Sequence, residues 1–389
     1  MSTTLNYATV FTPDEVLPRS AVVISDNGTI EYVGPMESAP RVEGLNLDMR
    51  GRYVIPGLID VHVHGGFGVG FGTMETLAED LQKYAGKIVE TGVTGFLTTV
   101  ATPDAPSLLK VIKAYVKLFE KGVQGAEPLG MHLEGPFLSR EKKGAFHPEW
   151  LRDPVLEEAR SFLDAGQGWI SQMTLAPELP LAQEVASMFR QEGVVVAMGH
   201  TNTDFETARA ALQTDFTHVT HTFNAQRGFH HREPGVFGAI LSSDEITAEL
   251  IADTIHVHPG AMKTLYRCLG DDRIVLITDA ILGAGLPDGT YTSVEFMVTI
   301  KDGVVTLEDG TLAGSSARLN QCVRNMHKTV GVPLHQAVKM ASLNPARAMG
   351  FASRLGSVTP GKDANLTVID EDVNVFMTLV KGEIVYNQL

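Results

Sequence analysis

Two histidines, His62 and His64, stand one residue apart in "GLIDVHVHGG" (57–66), where an apolar run stops on a glycine pair. On an extended strand residues i and i+2 share a face, so both imidazoles project the same way. A metal ion asks for such a pair, although one core histidine followed by a loop histidine gives the same spelling. Further residues of ligand or proton-transfer type follow: Glu134 in "MHLEGP", His200 in "AMGH", His221 in "VTHTFN" and Asp279 in "LITDA". Each falls at or near the end of an apolar run. Three or four nitrogen and oxygen ligands with one open position make a catalytic site for zinc or a similar divalent ion.

These residues form one site only if the chain gathers the ends of those runs. The runs are 57–65, 92–100, 128–136, 169–177, 193–200, 216–224, 247–256 and 272–280, and helical patterns such as 74–90 and 105–120 lie between most of them. Near-continuous apolar strands alternating with helices predict an α/β fold, a (β/α)8 TIM-like barrel with buried parallel strands. An open doubly wound sheet is the alternative. The count of eight and the lack of a dinucleotide fingerprint after the first strand disfavour it. In a barrel the C-terminal strand ends share one rim, where the active site sits. The glycine row "GGFGVGFG" (65–72) fits no phosphate-binding pattern and is expected to be a mobile loop at that rim.

The two ends do not continue the barrel. Residues 1–56, with an Asn-Gly turn in "SDNGTI", and 356–389 are expected to pair into one small β-domain, with the barrel spanning 57–355. Two Asp-Gly turns within 294–316 predict a hairpin inserted near 290–316, close to the barrel mouth.

The 389 residues are 44% hydrophobic and 20% charged, ordinary for a soluble enzyme. The chain shows no signal-peptide pattern and no apolar run as long as a membrane span, so no membrane partner is expected. Its two cysteines, Cys268 and Cys322, are expected to be buried free thiols, and the location cytoplasmic. A formal net charge of −15 argues against nucleic acid as a partner. It leaves room for a small anion if positive charge is gathered locally, as in "EKKGAFH" (141–147) and "QRGFHHREPG" (226–235).

Taken in order, "PGLIDVHVHG", "HLEGPF", "GHT", "THTFNA", "REPG" and "LITDA" resemble the N-acetylglucosamine-6-phosphate deacetylases of the amidohydrolase superfamily. "HLEGP" and "NAxxxxHHREPG" are specific to that branch, whereas "GLIDxHxH" marks only the superfamily. The resemblance runs from about residue 54 to 350, and "GKDANLTVID" (361–370) extends it. It implies a metal-dependent barrel with a small β-sandwich built from both termini. Other superfamily members bridge two metals with a carboxylated lysine on strand four. "WISQMTLAP" has no lysine, and Glu134 stands where the resembled family uses a strand-three glutamate instead.

The resemblance also implies roles. Glu134, His200 and His221 would hold the main metal, and His62 and His64 would complete a second site bridged by Glu134. The ion would be zinc, or iron, manganese or cobalt, with one or two per subunit. Asp279 would take a proton from water and return it to the leaving amine, or serve as a plain ligand. His147 would stabilise the carbonyl oxygen, unless it is simply a loop histidine before Pro148. Arg232, Asn224, the Ala225 backbone and His256 would contact the phosphate and sugar. Part of the family's phosphate site can come from a neighbouring subunit, which implies a homodimer.

His132 shares a face with Glu134 by spacing and could orient it. His258 looks like part of a helix start; His218, His230, His327 and His335 are expected to be structural or solvent-facing. Gln226 stands where the common family form has methionine, which bears on the hexosamine epimer. The expected reaction is hydrolysis of the N-acetyl amide of N-acetylglucosamine 6-phosphate. The galactosamine epimer is the nearest alternative, and a non-catalytic scaffold of the same fold is a more distant one.

Overall fold

The structure, a computed structural model, describes residues 2–292 and 297–389. Among the described residues eight parallel strands form the barrel: β1 (Leu58–Val63), β2 (Val93–Val100), β3 (Glu127–Glu134), β4 (Ile170–Leu175), β5 (Val195–Met198), β6 (Phe216–Val219), β7 (Thr247–Ile251) and β8 (Ile274–Ile277). Each overlaps one of the expected runs. Every residue of β1 and β2 is buried, because helices cover the outer face and side chains fill the interior. That double burial is why the runs are apolar without alternation.

Two helices show how the outer layer is specified. Helix α1 (Leu77–Ile88) buries Leu77, Leu81, Tyr84, Ala85 and Ile88, one stripe at helical spacing. Helix α2 (Ala105–Lys121) is capped by Asp104, which accepts from Ser107 N–H at 2.8 Å, and it ends at Gly122.

Consecutive strands pair in order from β1 to β8, and the seam between β8 and β1 closes just past their paired residues. Asp279 N–H donates to the His62 carbonyl at 2.9 Å, and His64 N–H to the Ala280 carbonyl at 2.8 Å. The buried Asp60 carboxylate adds bonds from Thr278 N–H (3.2 Å) and Thr278 O–H (2.6 Å). Barrel closure and the expected site therefore share residues. At the opposite end, Ile59, Val61, Leu129, Val195 and Val275 pack on Ala346 and Met349 in an apolar plug. Asn344 Nδ2 anchors that plug by donating to the carbonyls of Asp271 and Ile274.

Both termini meet in a second sheet. Its central strand, Ser2–Phe11, runs antiparallel to Val16–Ile24 and parallel to Gly44–Asp48 and Tyr53–Pro56. Tyr53–Pro56 pairs with Leu366–Ile369, which leads to Val375–Val380 and Glu383–Asn387. Because the central strand changes partner midway, both halves of the sheet enclose one core that includes Leu5, Val22, Val54, Leu366 and Met377.

The inserted segment has three antiparallel strands, Gly289–Thr292, Met297–Lys301 and Val304–Thr306, where a hairpin was expected. The part of that hairpin placed at 294–296 lies outside the described residues. The glycine row is not a free loop: Gly65–Gly66 pairs with Val69–Gly70, and Phe67 N–H and Gly68 N–H donate to Ala284 and Leu282 carbonyls. Glycine is needed there, since a Cβ on Gly65 would lie 2.2 Å from the Val69 carbonyl oxygen. Both cysteines are free, but Cys268 is exposed and only Cys322 buried.

Gly57 is the joint between terminal sheet and barrel. Its N–H donates to the Asn365 carbonyl at 2.8 Å, and a Cβ there would lie 2.8 Å from Thr94 Cβ. Gly57→Ala is expected to cost about 1–3 kcal/mol in chemical denaturation; an unchanged midpoint would show that the joint has slack.

Candidate active site

The strand ends deliver the polar residues in two ways. Glu134 is the last residue of β3, and His62 lies within β1, with His64 just past its end. His200, His221 and Asp279 instead sit two residues beyond β5, β6 and β8, with φ of +46°, +26° and +49°. Left-handed backbone at a non-glycine residue costs about 1–3 kcal/mol and persists only where surrounding bonds impose it. Here Ser139 N–H donates to the His200 carbonyl (2.9 Å), Asn224 N–H to that of His221 (2.9 Å) and Ser315 N–H to that of Asp279 (2.8 Å). The strain turns each side chain inward across the barrel mouth.

The side chains meet closely. Glu134 Oε1 lies 3.2 Å from His200 Nε2 and 3.0 Å from His221 Nε2, while its Oε2 lies 3.1 Å from His64 Nε2. Asp279 Oδ1 is 3.4 Å from His62 Nε2 and 3.3 Å from His64 Nε2. Two donor groups result, Glu134–His200–His221 and His62–His64–Asp279, with the Glu134 carboxylate between them.

The donor chemistry fits a divalent metal. The carbonyl of Lys142 accepts from His200 Nδ1 at 2.8 Å, so that nitrogen carries the proton and Nε2 is left as a lone pair. His62 is arranged alike, with Nδ1 2.9 Å from Glu249 Oε2. Its Nε2 is fully buried, aims at Glu134 and Asp279, and makes no hydrogen bond. Burial would lower the His64 imidazole, but hydrogen bonds to Asp279 and Glu134 lift it to about 9. Burial would raise Glu134, yet the imidazoles of His62, His200 and His221 gathered around it hold it well below the carboxylate range. The pocket calls for positive charge, which a metal supplies.

Above this cluster opens a cavity of about 350 Å³. Asn224, Ala225 and His256 line it together with His64, Glu134, His200, His221 and Asp279, and Phe71, Phe146, Ile281, Val298 and Leu312 give it apolar walls. Asp253 fixes His256: Oδ1 accepts from His256 N–H at 2.8 Å and Oδ2 lies 2.7 Å from Nδ1. Burial works against protonation of His256, but this bond outweighs it and raises the imidazole.

The structure does not bring every expected residue here. His147 is the N-cap of the turn Pro148–Trp150, its ring lies tilted against Trp150 at 4.9 Å between centroids, and its side chain is 44% exposed. Phe146 holds the pocket-facing place and packs edge-on against His200. Arg232 is exposed outside the cavity of its own chain, with Nη1 donating to His231 Nε2 at 2.8 Å. Gln226 is buried with Nε2 donating to the Thr220 carbonyl at 2.9 Å, so its side chain braces the loop and does not line the cavity. His132 bonds to Thr99, Thr174 and Gln172, and its ring sits edge-on to His62. His258 caps the helix Pro259–Leu269 by accepting from Gly260 N–H.

Residues unforeseen from the sequence form a polar layer beneath the cluster. Glu249, fully buried on β7, receives His62, Gln172, His218 and the His221 N–H. Its one signal was a lone glutamate inside an apolar strand.

Comparison with known proteins places this arrangement. Residues 53–385 match the amidohydrolase family. The chain is 36% identical over 368 residues to the N-acetylglucosamine-6-phosphate deacetylase of Vibrio furnissii, covering 95% of this chain and 91% of that one. It is 38% identical over 329 residues to the N-acetylgalactosamine-6-phosphate deacetylase of Escherichia coli O157:H7, covering 85% and 86%. The crystal structure of N-acetylglucosamine-6-phosphate deacetylase from Pasteurella multocida matches with a TM-score of 0.93 at 31% identity, each chain covered in full (100%). The matched span holds the whole cluster and its supporting layer, and the chain belongs to the amidohydrolase family.

Proposed function

We propose that this protein hydrolyses the N-acetyl amide of an N-acetylhexosamine 6-phosphate, foremost the glucosamine form, releasing acetate and the amino-sugar phosphate. The observation that carries this reading is the two-part donor cluster, with the Asp279 carboxylate in one part beside Glu134–His200–His221 in the other, at the floor of a cavity sized for a small ligand. Similarity to deacetylases of both epimers supports the substrate class. Glu134, His200 and His221 would hold a divalent ion, and His62 and His64 a second; bound there, it would supply Lewis acidity toward the amide and toward water near neutral pH.

The chain's own groups do the rest. Burial would raise Asp279, but the His62 and His64 imidazoles beside it hold it below the usual range, and an ion on those histidines would act in the same direction, so it is ionised and able to accept a proton. It takes one from the attacking water and returns it to the leaving nitrogen, the two steps being sequential. Asn224, the Ala225 backbone and His256 orient the sugar, and the apolar walls keep bulk water from the amide. Arg232 reaches the phosphate of a neighbouring subunit, where its planar fork suits the oxygens. Zinc, a homodimer and a cytoplasmic location complete the reading.

Acetate release from a panel of N-acetylated hexosamines, with and without the 6-phosphate, tests the substrate and ranks the epimers. No preference for the phosphorylated sugars would refute the reading. Asp279→Asn is expected to lower kcat by about 10²–10⁴-fold while sparing substrate binding, since an amide cannot cycle the proton. Near-normal turnover would remove Asp279 from the chemistry.

Arg232→Ala is expected to cut kcat/KM for the phosphorylated sugar by about ten- to a hundredfold, at 1.5–3 kcal/mol per charged contact, and to spare the unphosphorylated one. Mixed dimers of Arg232→Ala and Asp279→Asn chains should regain activity, because one site then keeps both groups. Equal losses on both sugars would make Arg232 structural.

A further inference from the structure

We propose that Glu249 is a positioning residue that holds His62 ready to ligate, and so sets the affinity of the second metal position. The inference rests on the metal-dependent reading above and concerns only this chain's residues toward the ion.

Glu249 lies on β7 inside the barrel, and none of its surface is exposed. Four nitrogens converge on its two oxygens. Oε2 takes His62 Nδ1 at 2.9 Å and the His221 N–H at 3.0 Å. Oε1 takes Gln172 Nε2 at 2.8 Å and His218 Nε2 at 3.2 Å. A carboxylate offers about four lone-pair directions and no proton, so these four partners exhaust it.

The consequence for His62 is directional. A nitrogen facing a pure acceptor must carry the proton, so Nδ1–H is fixed and the Nε2 lone pair faces the cluster. That Nε2 is the buried atom without a hydrogen bond, between Glu134 and Asp279. His132, packed edge-on at 4.5 Å between ring centroids, limits rotation of the His62 ring.

Two further features separate this from ordinary core packing. Among the described residues no lysine or arginine pairs with Glu249; its ion-pair partners are His62 and His218. A permanent side-chain counter-charge is missing, and an ion bound through His62 provides one. Moreover, the same Oε2 holds the backbone of His221, a member of the other donor group, in its strained φ of +26°. One carboxylate thus spans both halves of the centre, through a side chain on one and a peptide N–H on the other.

The test compares Glu249→Gln with wild type, each stripped with chelator and titrated with zinc against a chromophoric competitor. Glutamine keeps the shape but loses the charge and turns an N–H₂ toward groups that donate. Disturbed supporting partners typically weaken metal binding by 10–100-fold, so the second equivalent should weaken by about that factor. The first equivalent should weaken less than the second, because Glu249 meets that group only through the His221 peptide N–H, which a glutamine oxygen can still accept. Equal loss of both equivalents, or of neither, overturns the proposal.

A second measurement does not depend on the variant folding: nitrogen-15 histidine spectra of zinc-loaded wild type, with His62 assigned through His62→Gln. Protonation of His62 at Nδ1 is expected, and protonation at Nε2 overturns the role of Glu249. If the wild type binds a single ion when metal is in excess, that role fails while the deacetylase reading stands. If it binds none, both fail.

Discussion

Glu134, Asp279 and Glu249 place three carboxylates inside one barrel, and among the described residues only imidazoles pair with them. Buried charge without a partner is strongly disfavoured, so the interior can be stable only if positive charge sits among these groups. Five histidines and a metal centre are the available answer. The rest of the site follows from meeting that demand: Lys142 and Glu249 fix which nitrogens carry protons, and strained strand ends aim the others inward.

The same groups close the barrel. The seam between β8 and β1 uses the backbone of His62, His64 and Asp279 and the side chain of Asp60, so site geometry and barrel closure cannot vary independently. The terminal sheet enters this economy through Gly57, which joins it to β1 at close approach to Thr94. Apolar packing at the far end leaves the rim free for chemistry, the division of labour usual for this architecture.

Much of this was legible in the sequence, for physical reasons. Strands buried on both faces must be apolar throughout, which made the barrel countable, and polar residues at the strand ends stood out against that background. Side-chain direction in loops has no such period. His147 and Phe146 are adjacent, yet Phe146 lines the cavity while His147 caps the turn at Pro148. Arg232 lies in "REPG", one of the stretches that carry the resemblance, but its own chain leaves it exposed. Glu249 was missed because a single glutamate within an apolar run carries no spacing signature; its meaning lies in four partners from three other strands or strand ends. The glycine row departs from the expected mobile loop because glycine permits both mobility and close backbone pairing, and here the pairing prevails.

The central claim is that these buried carboxylates and imidazoles exist to hold a divalent ion at the barrel mouth. Anomalous diffraction from crystals of metal-replete protein measures this directly. The account expects a peak shared by Glu134, His200 and His221, with any second peak at His62 and His64. A well-ordered cluster with no anomalous density, its imidazoles bonded only to the carboxylates, would contradict it.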